Sequence, residues 1–247
     1  MKSTYIITGA TSGIGKSLVL RLDAKTNHLI LLARSSENLK KISKFLKFAS
    51  VESISADLTD LTFMEKLKDL ELNNIRGFVH CAGSESILPL RLISYDKFDS
   101  LMRLHVYSFV EIVKFIEKRK TPKDSYLTSI IALSSIASRD GGVGQTIYSA
   151  SKASLESICK VLSKELAKKR IRLNTVLPGL VDTEMTERWR RKIGIKNKSD
   201  LHNMQLNGLI DPKEVAELII YLLNDLSRQI VGTEIKIDSG GSKNKIF

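Results

Sequence analysis

The chain has 247 residues, 43% hydrophobic and 27% charged, the proportions of an ordinary folded protein, which exclude wholesale disorder. Its 39 lysines and arginines outnumber 27 acidic residues, for a net charge of +12; no nucleic-acid motif accompanies that charge, so solvated helix surface explains it better than an RNA-binding face. Two cysteines cannot form a disulfide framework or a four-ligand zinc site, and no apolar run approaches the roughly 18 residues of a spanning helix; the expectation is a cytoplasmic protein with neither metal nor membrane.

Taken in chain order, Tyr5-Ile6-Ile7 is a short apolar strand ahead of a glycine turn, Thr8-Gly9-Ala10-Thr11-Ser12-Gly13-Ile14-Gly15. The following helix carries Ile14, Leu18 and Leu22 at a spacing of four. Leu29 to Ala33 reads as a buried strand. Leu39, Ile42, Phe45 and Leu46, set against Lys40, Lys41, Lys44 and Lys47, predict an amphipathic helix with a lysine face. Strands are expected over Val51 to Ala56, Ile75 to His80, Leu127 to Leu133, Arg172 to Leu177 and Glu234 to Asp238, and long helices over Asp96 to Lys118 and Tyr148 to Lys169. Apolar strands alternating with helices predict one Rossmann-type α/β domain over residues 1–247: a doubly wound, seven-stranded parallel sheet covered by helices on both faces. Ligands on such sheets bind beyond the carboxyl ends of the strands.

The glycine turn lies where a dinucleotide pyrophosphate would sit, with glycines letting phosphate approach backbone N–H groups at a helix N-terminus. Gly9, Ser12, Gly13, Ile14 and Gly15 are its expected contacts. The second strand ends Ala33-Arg34, with Arg34 19 residues past Gly15, where an NAD-binding chain would place a carboxylate. A guanidinium there pairs with a 2′-phosphate, so NADP(H), and NADPH in a reduction, is the expected cofactor.

Tyr148 and Lys152 stand at i and i+4 on one helix face. An ammonium beside a phenol lowers its pKa from about 10 towards neutrality, suiting it to acid-base work. Ser135, thirteen residues before Tyr148, follows the fifth strand and could orient a carbonyl beside the phenol.

Together these motifs resemble the short-chain dehydrogenase/reductase family along essentially the whole chain, and 3-oxoacyl-carrier-protein reductases in particular. The resemblance implies that Asp57 and Leu58 meet the adenine, that Ala82 and Gly83 border the cofactor after the fourth strand, and that Pro178, Gly179, Val181 and Thr183 hold the nicotinamide end. It implies a catalytic set of Ser135, Tyr148 and Lys152, with Tyr148 and Lys152 also touching the cofactor. Two positions depart from the family pattern: Cys81 stands for an Asn, and His105 takes the place of the Asn that serves a proton relay. His105 is therefore read either as a relay residue or as a packing residue.

The family sets substrate choice after Thr183, so residues 184–208 are expected to form a lid. Arg188, Arg190, Arg191 and Lys192 around Trp189 suggest a lid that binds an anionic substrate, such as a 3-oxoacyl thioester of acyl carrier protein or coenzyme A. A pathway-specific ketoreductase acting on a nucleotide sugar or another small ketone is the alternative, and a catalytically weak NADP(H)-binding regulatory protein is the reading from another class. The long helices also imply a homotetramer or homodimer by the same resemblance.

Overall fold

β1 (Ser3–Thr8), β2 (Asn27–Ala33), β3 (Ser50–Ser55), β4 (Ile75–His80), β5 (Thr128–Leu133), β6 (Ile171–Pro178) and β7 (Glu234–Ile237) form one parallel sheet in the order β3-β2-β1-β4-β5-β6-β7. This computed structural model describes residues 2–70, 72–120 and 126–241; the remaining positions of the expected 1–247 domain lie outside the described residues. Leu29 to Leu32, Ile130 to Ala132 and Ile6-Ile7 are fully buried, as strands covered on both faces must be. The order reverses between β1 and β4, which opens a crevice beyond their carboxyl ends.

Helices cover both faces. On one side α1 (Gly13–Arg21), α2 (Ser36–Phe45) and, from the far end of the chain, a helix over Pro212–Leu223 contribute Leu18, Val19, Leu39, Ile42, Val215 and Ile219 to the core. On the other side α3 (Phe63–Lys68) and the longer helices that follow supply Phe63, Leu67, Phe109, Ile112, Leu155 and Cys159. Each such fully buried large side chain contributes about 1.5–3 kcal/mol. Phe45, expected on the apolar face of α2, is instead 66% exposed, because α2 ends there and its inward stripe is already complete with Leu39 and Ile42.

The long helix expected from Asp96 to Lys118 is interrupted. α4 (Tyr95–Met102) runs into a π-turn at Arg103–Tyr107 and then α5 (Ser108–Arg119). The wider turn brings His105 and Val106 wholly inside. After β5 come α6 (Ala137–Asp140) and α7 (Thr146–Leu166), the latter closing in a 3₁₀ turn over Ala167–Lys169. α8 (Glu184–Lys192) and α9 (Ser199–His202) belong to the expected lid. α10 (Pro212–Leu223) starts with a reciprocal capping box between Asp211 and Glu214. Its end is held by the buried Arg172, whose Nη2 donates to Leu222 O at 2.8 Å and whose Nη1 donates to Ser227 O at 2.9 Å.

Candidate active site

A cleft of about 600 Å³ opens at the β1/β4 crevice, the size of a ligand pocket. The glycine turn forms one wall. Gly9 has a positive φ of 64°, and a Cβ there would lie 2.8 Å from Ala82 N; a Cβ on Gly15 would strike the Gly9 carbonyl oxygen. Only glycines let the turn fold this tightly against the end of β4. Ser12 at the start of α1 makes no side-chain cap, so the first amides of α1 are left to face the cleft, together with Thr11, Gly13 and Ile14. Uncapped helix amides, a tight glycine turn and a large cleft fit a dinucleotide pyrophosphate.

Arg34, Ser35 and Asn38 bound one end of the cleft. Arg34 is exposed at the rim, and Ser35 caps α2 by accepting from Asn38 N at 3.1 Å. Pro178, Gly179, Val181 and Thr183 line the opposite end, where a Cβ on Gly13 would come 3.1 Å from the Thr183 methyl. Three expected cofactor residues do not contribute to the wall. Asp57 spends Oδ1 on its own turn, accepting from Thr59 N at 2.9 Å and Thr59 Oγ1 at 2.8 Å. Leu58 is buried in the core, and Ala82 N donates to Thr8 Oγ1 at 3.1 Å.

Ser135, Tyr148 and Lys152 meet in the same cleft. β5 ends two residues before Ser135, and the first turns of α7 project Tyr148 and Lys152 from one face. The Ser135 hydroxyl acts on the Tyr148 phenol and favours its ionised form. The depression of that phenol expected from Lys152 is not found. Burial pushes the phenol up from its ordinary value, outweighing the Ser135 hydroxyl, and the Glu85 carboxylate adds to the rise. Lys152 turns its ammonium to the Leu133 carbonyl, donating at 2.8 Å, and burial lowers it to about 8.

His105 lies behind this set and does not line the cleft. Its Nε2 accepts from Ser84 N at 3.1 Å, which places the single proton of the neutral ring on Nδ1. Nδ1 then donates to Ser151 Oγ at 2.8 Å, and Ser151 donates to the Tyr148 carbonyl at 2.8 Å. Burial, helped by Lys152 and His80, holds the imidazole well below its usual pKa. With both nitrogens engaged by protein groups, the ring has none left for a water relay; it braces the loop after β4 against the first turn of α7.

The expected lid is pinned at its base. Val181 pairs with Ile210 in a parallel bridge, and Asp182 N donates to Ile210 O at 2.8 Å. Gln205, buried in the cleft wall, accepts from Leu180 N at 2.6 Å and donates to Leu180 O at 3.0 Å. The lid cations are engaged with carboxylates. Arg188 and Lys192 reach Glu85 at 3.2 and 3.3 Å, and Arg190 and Arg191 reach Glu187 at 2.6 and 2.8 Å. They draw Glu187 down to about 2. Glu85, Gln205 and Asn38 carried no signal in the sequence, because each acquires its place from a chain segment remote or irregular in pattern.

Residues 9–242 match the family model described as enoyl-(acyl carrier protein) reductase. The chain is 29% identical over 241 residues to 3-oxoacyl-[acyl-carrier-protein] reductase of Thermotoga maritima, covering 95% of this chain and 96% of that one. It is 31% identical over 251 residues to carbonyl reductase family member 4 of Xenopus laevis, covering 97% and 98%. A solved structure of 4-hydroxyisoleucine dehydrogenase complexed with NADH superposes with a TM-score of 0.88 at 25% identity, covering 99% of this chain and all of that one. The chain belongs to the short-chain dehydrogenase/reductase family. It is an oxidoreductase that works with a nicotinamide cofactor. Among the described residues no helix is long and apolar enough to cross a membrane.

Proposed function

We propose that the protein is an NADPH-dependent ketoreductase. The observation that carries this reading is the meeting of Ser135, Tyr148 and Lys152 in one cleft with a glycine turn at one wall and Arg34 at its rim. The amides at the start of α1 hold the pyrophosphate. Arg34, flanked by Ser35 and Asn38, pairs with the 2′-phosphate. When bound, the cofactor supplies the hydride. The Ser135 hydroxyl and the Tyr148 phenol hold the carbonyl oxygen, and Tyr148 gives its proton to that oxygen as negative charge develops. Its raised pKa suits this direction, because the phenol is fully protonated at neutral pH. Lys152 stabilises the phenolate left behind and binds the nicotinamide ribose.

Residues 184–208 act as the substrate lid. Its four cations around Trp189 share two carboxylates, Glu85 and Glu187, so positive charge remains in excess beside the cleft, which supports an anionic substrate. The substrate combines a ketone with an anionic group, and the named relatives make a 3-oxoacyl thioester the first to test. Oxidation of NADPH and of NADH is to be followed with 3-oxoacyl thioesters, nucleotide-sugar ketones and simple ketones. Turnover with NADPH on at least one ketone is expected. Tight NADPH binding without turnover on any of them would instead mark a catalytically weak NADP(H)-binding protein.

A further inference from the structure

We propose that Glu156 is a positioning residue for this reaction: its two carboxylate oxygens grip both ends of the turn that carries Ser135, and its charge retains a proton on the Tyr148–Lys152 pair. The inference rests on the roles given to Tyr148 and Lys152 above. Glu156 stands one turn beyond Lys152 on α7 and is only 3% exposed, a depth at which carboxylates occur paired. Its Oε1 accepts from Ser134 Oγ, and its Oε2 lies 2.9 Å from Arg139 Nη2. Ser134 opens the turn after β5 and Arg139 closes it within α6. Between them Ser135 Oγ accepts from Ala137 N at 3.2 Å, and Ser135 O accepts from Ser138 Oγ at 2.6 Å. Arg139 also pairs with Glu234 of β7, which Lys160 of α7 reaches at 2.8 Å. Alternating charges thus tie α6, α7 and β7 together behind the Ser135 turn.

The groups acting on the pair come from several elements. Cys81 and His80 face Lys152 from the end of β4, His105 from the π-turn, and Glu156 and Cys159 from α7; Glu85 faces Tyr148 from the loop after β4. Burial holds both histidines neutral and both thiols protonated. Glu156 is the carboxylate that acts on Lys152. Loss of a proton makes the pair one unit more negative, and a neighbouring carboxylate opposes that loss.

The test is a ¹³Cε-lysine NMR titration of the cofactor-free protein, with Lys152 assigned by its disappearance in Lys152→Arg, alongside the pH–rate profile of ketone reduction. In the unmodified protein the Lys152 signal is expected to titrate near 8. Glu156→Gln should lower that midpoint by about half a unit or more, move the alkaline limb of kcat the same way, and leave the Kd for NADPH within about twofold. Glu156→Asp should return the midpoint towards the unmodified value while kcat stays low, because the shorter side chain cannot reach both ends of the turn. Ser134→Ala should lower kcat without moving the midpoint. The midpoint is read from folded protein only, so a loss of yield does not obscure it. A Glu156→Gln midpoint equal to that of the unmodified protein overturns the inference and leaves Glu156 a stability residue. Absence of turnover in the unmodified protein would overturn the ketoreductase reading instead, and the NMR midpoint distinguishes the two failures.

Discussion

At the scale of single residues, chemistry and stability are set by different groups. Tyr148→Phe should remove ketone reduction while leaving NADPH affinity within about twofold, since the proton donor alone is lost; isothermal titration beside steady-state rates checks this. Arg34→Ala should cost about 1.5–3 kcal/mol in NADPH binding, roughly 10- to 150-fold, with little effect on NADH. The buried histidines make a separate, pH-dependent contribution. Burial lowers His80 to about 3 and His105 well below 6.5, while the unfolded chain takes up protons near 6.5. Between those values the unfolded state binds more protons, so stability is complete above about pH 6.5 and falls as the pH drops. The slope is about 1.4 kcal/mol per pH unit for each histidine. Urea unfolding at pH 7, 6 and 5 should show this loss, and His105→Asn should halve it. Relay chemistry at His105 looked open from the sequence because an imidazole can both accept and donate; only the fold reveals that Ser84 and Ser151 already use both nitrogens.

At the scale of elements, the turn before α1 is the least tolerant part of the cofactor site. Gly15→Ala drives a methyl into the Gly9 carbonyl, which should cost about 1–3 kcal/mol of stability and reduce affinity for either nicotinamide cofactor at least tenfold. Thermal unfolding with and without NADPH reads both effects. The central strands were legible because each carries an apolar run bounded by polar or turn residues, the edge strands β3 and β7 by apolar residues interspersed with polar ones, and the glycine turn and Tyr148–Lys152 because their spacing is local. The π-turn was not legible: residues 96–118 keep a helical pattern, and the extra residue is taken up where tertiary packing draws His105 inward. The pairs that Arg188 and Lys192 make with Glu85 escaped notice for the same reason, since Glu85 is 103 residues from Arg188 and no periodicity joins them, unlike the i,i+3 and i,i+4 pairs of Glu187. Gln205→Ala should loosen residues 184–208, because Leu180 N and Gly208 O lose the partner that Gln205 supplies. We expect faster proteolysis within residues 184–208 and a higher KM for the ketone, with Tyr148 chemistry intact.

At the scale of the whole molecule, Tyr95 is 83%, Val161 55% and Leu92 50% exposed, the first and last close to α4 and the second on α7. Large apolar side chains left in water favour association, and we expect light scattering at micromolar concentration to give a multiple of 27.6 kDa, a tetramer or a dimer. The sheet order also has a temporal meaning. β7 is the last strand of the sheet and adds only at the edge, against β6. A nascent chain emerging from the ribosome therefore possesses the glycine turn, Ser135, Tyr148 and Lys152 well before Glu234 arrives to engage Arg139 and Lys160. The protein becomes competent late in its own synthesis: a chain stalled before β7 has every reacting group and lacks the strap that fixes the distances among them.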